Sequence, residues 1–153
     1  MAIFNLTDFS AHLTPGARLL GLDPGSKRIG VALSDVNRQI ASPYATVARA
    51  KLKQNAAEIA AIAAKEGVGG LIIGLPLDSE QKLGSRAQAA RDWAHNLSNV
   101  TGLPVAMVDE SFTTAATHER LIEAGVSRER RSELVDKMAA AAILQAALDL
   151  MGK

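Results

Sequence analysis

Leu19-Leu20-Gly21-Leu22-Asp23-Pro24-Gly25-Ser26-Lys27-Arg28-Ile29-Gly30-Val31-Ala32-Leu33-Ser34 reads as a buried strand, a tight turn and a second strand running back. The first strand is apolar through Leu19, Leu20 and Leu22 and ends on an acid. Pro24-Gly25 then turns the chain, because proline presets φ and glycine tolerates positive φ. Ile29 to Ser34 alternates loosely and carries Ile and Val, as a hairpin partner should. Asp23, at the mouth of so apolar a strand, is either an Asx-type turn residue or a site residue, and these residues alone leave both readings open.

Downstream, 35–39 is a polar turn, and 40–47 reads as a third strand of edge type, since Pro43 lacks a ladder donor. The alanine-rich segment 51–66 reads as a helix with a stripe of Ala57, Ile59, Ala60, Ile62 and Ala63, stopped by Gly67. Segment 68–75 holds Leu71-Ile72-Ile73 between glycines and Pro76, a continuous apolar run typical of a strand covered on both faces. After a polar loop, 85–100 reads as a helix with Ala89, Trp93 and Leu97 one turn apart. A short strand over 104–108 ends in Asp109-Glu110. A helix over 113–124 stops at Gly125, 127–131 is a charged connection, and Ser132 caps a last helix to about residue 150. Five strands in this order, three of them joined through helical crossovers and therefore parallel, give a mixed α/β sheet with helices on its faces.

The 153 residues suit one domain, 18–153, preceded by an irregular arm over 1–17. Hydrophobic residues make up 48% and charged residues 22%, ordinary for a globular chain. Cysteine is absent, which excludes disulfides, thiolate catalysis and cysteine metal sites and suits a cytoplasmic location. No apolar run is long enough to span a bilayer, and 1–17 lacks the basic n-region of a secretory signal, so no membrane partner is expected. The net charge of +1 does not single out nucleic acid, so local clusters have to decide.

Open α/β sheets bind ligands outside the carboxyl ends of their parallel strands. Here those ends carry Asp23, Gly74 and Asp109-Glu110. If the strands are neighbours, Asp23 and Glu110 lie two strand spacings apart, roughly 10 Å at the backbone. Such carboxylates can share a pair of metal ions roughly 4 Å apart. The last helix offers a third acid: Asp136, Ala140, Ile143 and Ala147 form one stripe, which turns Asp136 toward the sheet. Acids in a first helical turn are also favoured by the helix dipole, and Glu133 sits there too. Oxygen-only ligation of this kind suits a hard cation such as Mg²⁺. His12, His95 and His118 are scattered without ligand spacing, and no P-loop, G-x-G-x-x-G turn or nucleophile elbow is present.

Lys27 and Arg28, then Lys82 and Arg86, then Arg128, Arg130, Arg131 and Lys137 gather near the same edge. Cations beside acids fit a phosphodiester substrate, although any one cluster also reads as a solvated face. Aromatic residues are only 3%, so base stacking is not the main mode of binding, and Trp93 and Phe112 read as packing residues.

Gly21-Leu22-Asp23-Pro24-Gly25-Ser26-Lys27-Arg28-Ile29-Gly30-Val31-Ala32, followed by Ala41-Ser42-Pro43, resembles the opening motif of the YqgF family, also called RuvX. Ile72-Ile73-Gly74-Leu75-Pro76, Asp109-Glu110-Ser111-Phe112-Thr113-Thr114, and Val135-Asp136-Lys137-Met138-Ala139-Ala140 with Ile143-Leu144-Gln145 are similar to its later motifs, in order. The resemblance implies a ribonuclease-H-like nuclease domain, a mixed five-stranded sheet with helices on both faces. It implies that Asp23, Glu110 and Asp136 are the acidic catalytic set, holding Mg²⁺ or Mn²⁺. Ser111 stands where the family usually has an arginine, so that arginine's role does not carry over.

The expected function is metal-dependent endonucleolytic cleavage in rRNA processing, at the 5′ end of pre-16S ribosomal RNA. Lys27, Arg28 and Arg86 would position phosphates, and Thr113 and Thr114 would support the ligands or cap a helix. Alternatives are a Holliday-junction resolvase on branched DNA, a non-catalytic nucleic-acid-binding factor in ribosome biogenesis, or an actin-like ATPase. A resolvase would act as a homodimer. The residues leave homodimer and monomer equally open.

Overall fold

The computed structural model describes residues 3–25, 27–75, 85–109 and 128–152. Its elements run β1 (Ile3–Phe4), α1 (Leu6–Ala11), β2 (Arg18–Pro24), β3 (Arg28–Ser34), β4 (Ala41–Ala48), α2 (Leu52–Glu66), β5 (Val68–Leu75), α3 (Ser85–Thr101), β6 (Val105–Asp109) and α4 (Arg128–Met151). They form one sheet in the order β1-β6-β5-β2-β3-β4. The five expected strands are all present. β2 and β3 form the antiparallel hairpin, and β2, β5 and β6 are parallel neighbours, as their crossovers require. The expected helix over 113–124 lies outside the described residues.

Strand alternation divides the core in two. Leu20, Leu22, Ile29, Val31, Leu71, Ile73 and Val105 face α2 and α3, where Ile59, Ala63, Ala94 and Leu97 meet them. Leu19, Ala32, Ile72 and Ala106 face the other way, against Phe9 of α1 and Ala140, Ile143, Leu144 and Ala147 of α4. Gly67 ends α2 at φ 71°, and its N–H donates to the Ala63 carbonyl, as a left-handed C-cap should. The polar turn after β3 is closed by Asp35, whose carboxylate accepts from the Gln39 and Ile40 N–H groups at 2.7 and 3.0 Å. Those donors, Ile40 first, hold its carboxyl below the usual carboxylate range. The ladder of β3 with β4 shifts register between Val31 and Ala32, beside Pro43. Among the described residues no helix is long and apolar enough to cross a membrane.

Three expectations need correction. The arm is not irregular: β1 pairs in parallel with the outer side of β6, adding a sixth strand. The Asn5 side chain caps α1 by accepting from the Asp8 N–H at 2.9 Å, and Phe9 is fully buried. The cap and the Leu6, Phe9, Leu13 stripe are helix signals that the short length of the segment hides. The charged segment before Ser132 is not a connection, because α4 already runs from Arg128; arginine and glutamate are good helix formers and prolong it. Finally, α3 buries Ala87, Ala90, Ala94 and Leu97, leaving Ala89 exposed and Trp93 half-buried. Where most apolar positions are alanine, periodicity alone does not fix which face packs.

Helix α4 lies unusually close to the sheet. A Cβ on Gly21 would stand 2.6 Å from Leu144 Cβ and 2.9 Å from the Ala140 carbonyl oxygen. A Cβ on Gly30 would overlap the main-chain oxygen of Asp136. Gly30→Ala is therefore expected to lower the unfolding free energy by about 3 kcal/mol or more, since backbone cannot yield as a side chain does. Phe9→Ala should cost about 3–5 kcal/mol if the arm is integral to the core. Urea unfolding midpoints check both; a wild-type midpoint for Phe9→Ala would show the arm to be an appendage.

Candidate active site

Asp23 is the penultimate residue of β2, half-buried, and lies opposite Gly30 of β3. The turn after it is tied by the main chain. The Gly25 N–H is shared between the Asp23 and Arg28 carbonyl oxygens, both at 3.0 Å. The main chain thus contributes to closing this turn. A Cβ on Gly25 would come within 2.6 Å of the Arg28 oxygen, which explains a glycine at this crossing.

Gly21 faces α4, so alternation puts Asp23, two residues on, on the same face. Arg28 lies two residues before Gly30 and shares that face too. Its Nε donates to Asp136 Oδ2 at 2.7 Å, and the two side chains are 30% and 26% exposed. Because the Asp136 main chain rests on Gly30, the strand residue paired with Asp23, β2 and α4 bring both acids to one face at one edge. The helix stripe behaves as expected, with Ala140, Ile143 and Ala147 buried behind Asp136.

Of the other expected edge positions, Gly74 falls on the same side of the sheet as Ile72, the α4 side. Gly74, buried and without a side chain, pairs with Val108, and Leu75 pairs with Asp109. Even-numbered residues of β6, Ala106 and Val108, belong to the α4 face. Glu110, the next even position, lies outside the described residues, as do Lys82, Ser111, Phe112, Thr113 and Thr114. Lys27 is exposed in the hairpin turn, and Lys137 is half-buried beside Asp136. Arg86 lies in the first turn of α3, and Arg128, Arg130 and Arg131 in the first turn of α4; their side chains are outside those described.

Among the described residues no three carboxylate or imidazole groups cluster closely enough to hold a metal ion. Two of the three acids in the expected set are described, and they supply the hard oxygen donors that a divalent cation takes. Arg28 sits where it neutralises and orients one of them.

The sequence reading passed over Arg49 and Asn55. Arg49 follows β4, donates from Nη1 to the Gly25 carbonyl at 3.0 Å, and stacks 5.1 Å over the Trp93 ring. Asn55 is fully buried; it accepts from the Ala50 N–H and donates to the Ala48 carbonyl, binding the β4–α2 junction together. Asn55 follows the first turn of a helix that has no capping side chain, and that lack is the one signal that could have flagged it. Gln145 does similar work on the other face, accepting from the Ala41 N–H and donating to the Gln39 carbonyl.

A double-mutant cycle on Arg28→Met and Asp136→Asn is expected to give a coupling of about 1 kcal/mol that shrinks as salt is raised. Zero coupling would show that the pair contributes nothing to placing α4.

Comparison with known proteins bears on this geometry. The RuvX family, described as Holliday junction resolvase, matches residues 17–150. A protein of Acidiphilium cryptum is 55% identical over 153 residues, covering 100% of this chain and 97% of the relative, and is named "Putative pre-16S rRNA nuclease". A protein of Gluconacetobacter diazotrophicus with the same name is 53% identical over 150 residues, covering 97% of each. Among solved structures, Fowlpox virus resolvase with Holliday junction DNA is similar at a TM-score of 0.55 and 12% identity, covering 89% of this chain and 99% of that one. Thermus thermophilus RuvC with a Holliday junction is similar at 0.52 and 16% identity, covering 89% and 96%. At such identities these two structures establish a common fold, the expected ribonuclease-H-like α/β fold.

Proposed function

This chain belongs to the RuvX family, and on that premise we propose that it is a metal-dependent endonuclease that cleaves phosphodiester bonds in the 5′ maturation of pre-16S ribosomal RNA. The observation that carries the reading is the shared face of Asp23 and Asp136, fixed by the contact of α4 on Gly30. The names of relatives at 53–55% identity over nearly the whole chain support ribosomal RNA as substrate. The description of the family as a Holliday junction resolvase favours a second reading, cleavage of branched DNA.

In this reading Asp23, Asp136 and Glu110 hold the Mg²⁺ or Mn²⁺. When bound, such an ion supplies a water of lowered pKa and charge stabilisation at the leaving oxygen. The rest falls to the protein. Arg28 keeps the Asp136 carboxylate turned to the sheet edge through its 2.7 Å bond. Half-burial of both acids strengthens their hold on a cation relative to open water. Buried Gly74 lets a ligand approach the backbone between β2 and β6. Lys27 and Arg86 are the residues that position substrate phosphates in this reading.

Asp23→Asn is expected to lower Mg²⁺-dependent cleavage of a pre-16S 5′ precursor by on the order of 10³-fold, the worth of several kcal/mol at the transition state. Its urea midpoint should stay close to wild type. Undiminished cleavage would remove Asp23 from the site. Running the same assay on a four-way DNA junction separates the two substrates, and binding without cleavage of either would point to an assembly factor.

A further inference from the structure

Residues 36–57 contain no acidic residue, yet carry Arg49, Lys51 and Lys53 at their far end. The fold puts that end at the edge where Asp23 lies. Ala48 pairs with Arg28, and the Arg49 N–H donates to the Lys27 carbonyl at 2.9 Å. Lys27, Lys51 and Lys53 are exposed and form no ion pair among the described residues. Lys51 and Lys53 stand on the β4–α2 side of the edge, beyond β3 from Asp23, and Lys27 lies between them and Asp23 in the hairpin turn.

The main chain beneath these cations is fixed. Arg49 pins the junction to the hairpin turn through Gly25 and to α3 through Trp93. Asn55 closes it from below. Lys51 is the N-cap residue of α2 and Lys53 is in its first turn, which has no acid and no side-chain cap. Cations at the positive end of a helix oppose the dipole and destabilise it. The arrangement is unfavourable within the free protein and becomes favourable once an anion lies across it.

We propose that Lys27, Lys51 and Lys53 form a docking strip for the sugar–phosphate backbone of the nucleic-acid strand that flanks the cleaved bond. This rests on the nuclease reading above and extends it. A polymer with one charge per residue is the ligand that reaches both the acid-bearing edge and the start of α2, and ammonium groups carried on a fixed main chain hold its phosphates without reading its bases. Lys51 and Lys53 are therefore binding residues that the motif-based reading did not include.

The test is equilibrium binding, with chelator present to keep the strand intact, to an RNA hairpin with and without a single-stranded extension. A duplex DNA of matched length runs in parallel. The wild type should prefer the extended RNA. Lys51→Ala/Lys53→Ala should lose that preference and show a salt-dependence slope smaller by about 1.4 on the single-stranded extension, or about 1.8 if duplex DNA is the strand held there. Lys65→Ala, at the opposite end of α2 and so at the opposite edge of the sheet, should change neither. The double variant should unfold at a urea concentration no lower than wild type, since it removes cations from a helix N-terminus. An unchanged slope and length preference in the double variant, while the wild type still binds and cleaves, would overturn the strip alone. An equal loss in Lys65→Ala would reduce the effect to net charge and overturn it too. A wild type that binds neither RNA nor DNA would overturn the strip together with the nuclease reading.

Discussion

Everything at the sheet edge depends on how near the backbone of α4 comes to strands β2 and β3. The helix can lie there only because Gly21 and Gly30 present no side chain to it. Ordinary helix-on-sheet packing leaves a layer of side chains between the two backbones. Removing that layer at two adjoining strand positions lowers α4 onto the sheet and fixes its azimuth. With azimuth fixed, Asp136 has one direction to point, and Arg28 lies there to meet it. The two glycines are thus geometric determinants of an acid they do not touch through any side chain of their own.

Elsewhere both faces of the sheet pack in the ordinary way. On the α2 and α3 side, branched residues such as Ile29, Val31, Leu71 and Ile73 fill the space between layers. On the α4 side, Leu19, Ile72, Ile143 and Leu144 do the same, with Ala32, Ala106, Ala140 and Ala147 between them, and only at Gly21 and Gly30 does the helix come down onto the strand backbone. Dense packing of this kind tolerates little adjustment.

Much of this was legible in the chain itself. A strand such as Leu71-Ile72-Ile73 between glycines has few alternatives, and the hairpin announces itself through Pro24-Gly25. The glycine after α2 marks its end because only a left-handed residue completes that cap. The acids Asp23 and Asp136 were readable as candidates because an acid ending an apolar strand, or leading an apolar helical stripe, costs something unless it is used. What stayed hidden has a common cause: alanine satisfies a core position and a surface position almost equally, so the orientation of α3 is set by the whole assembly and not by its own pattern. Arg49 was hidden for another reason. Its partners, Gly25 and Trp93, are 24 and 44 positions away, and no local spacing signals a contact closed by a sheet and a helix together. Glu110, on which the third part of the acidic set rests, falls outside the described residues.

The short strand contributed by the arm has a consequence beyond adding a pair of residues. Without it, β6 would present an unpaired ladder to any passing extended peptide, and such rims template fibrils and unwanted strand exchange. Two residues of β1 blunt that rim at small expense in chain length. At the opposite margin Pro43 and the shifted ladder beside it spoil β4 as a docking template. The sheet is thus guarded against edge-to-edge association at both of its margins.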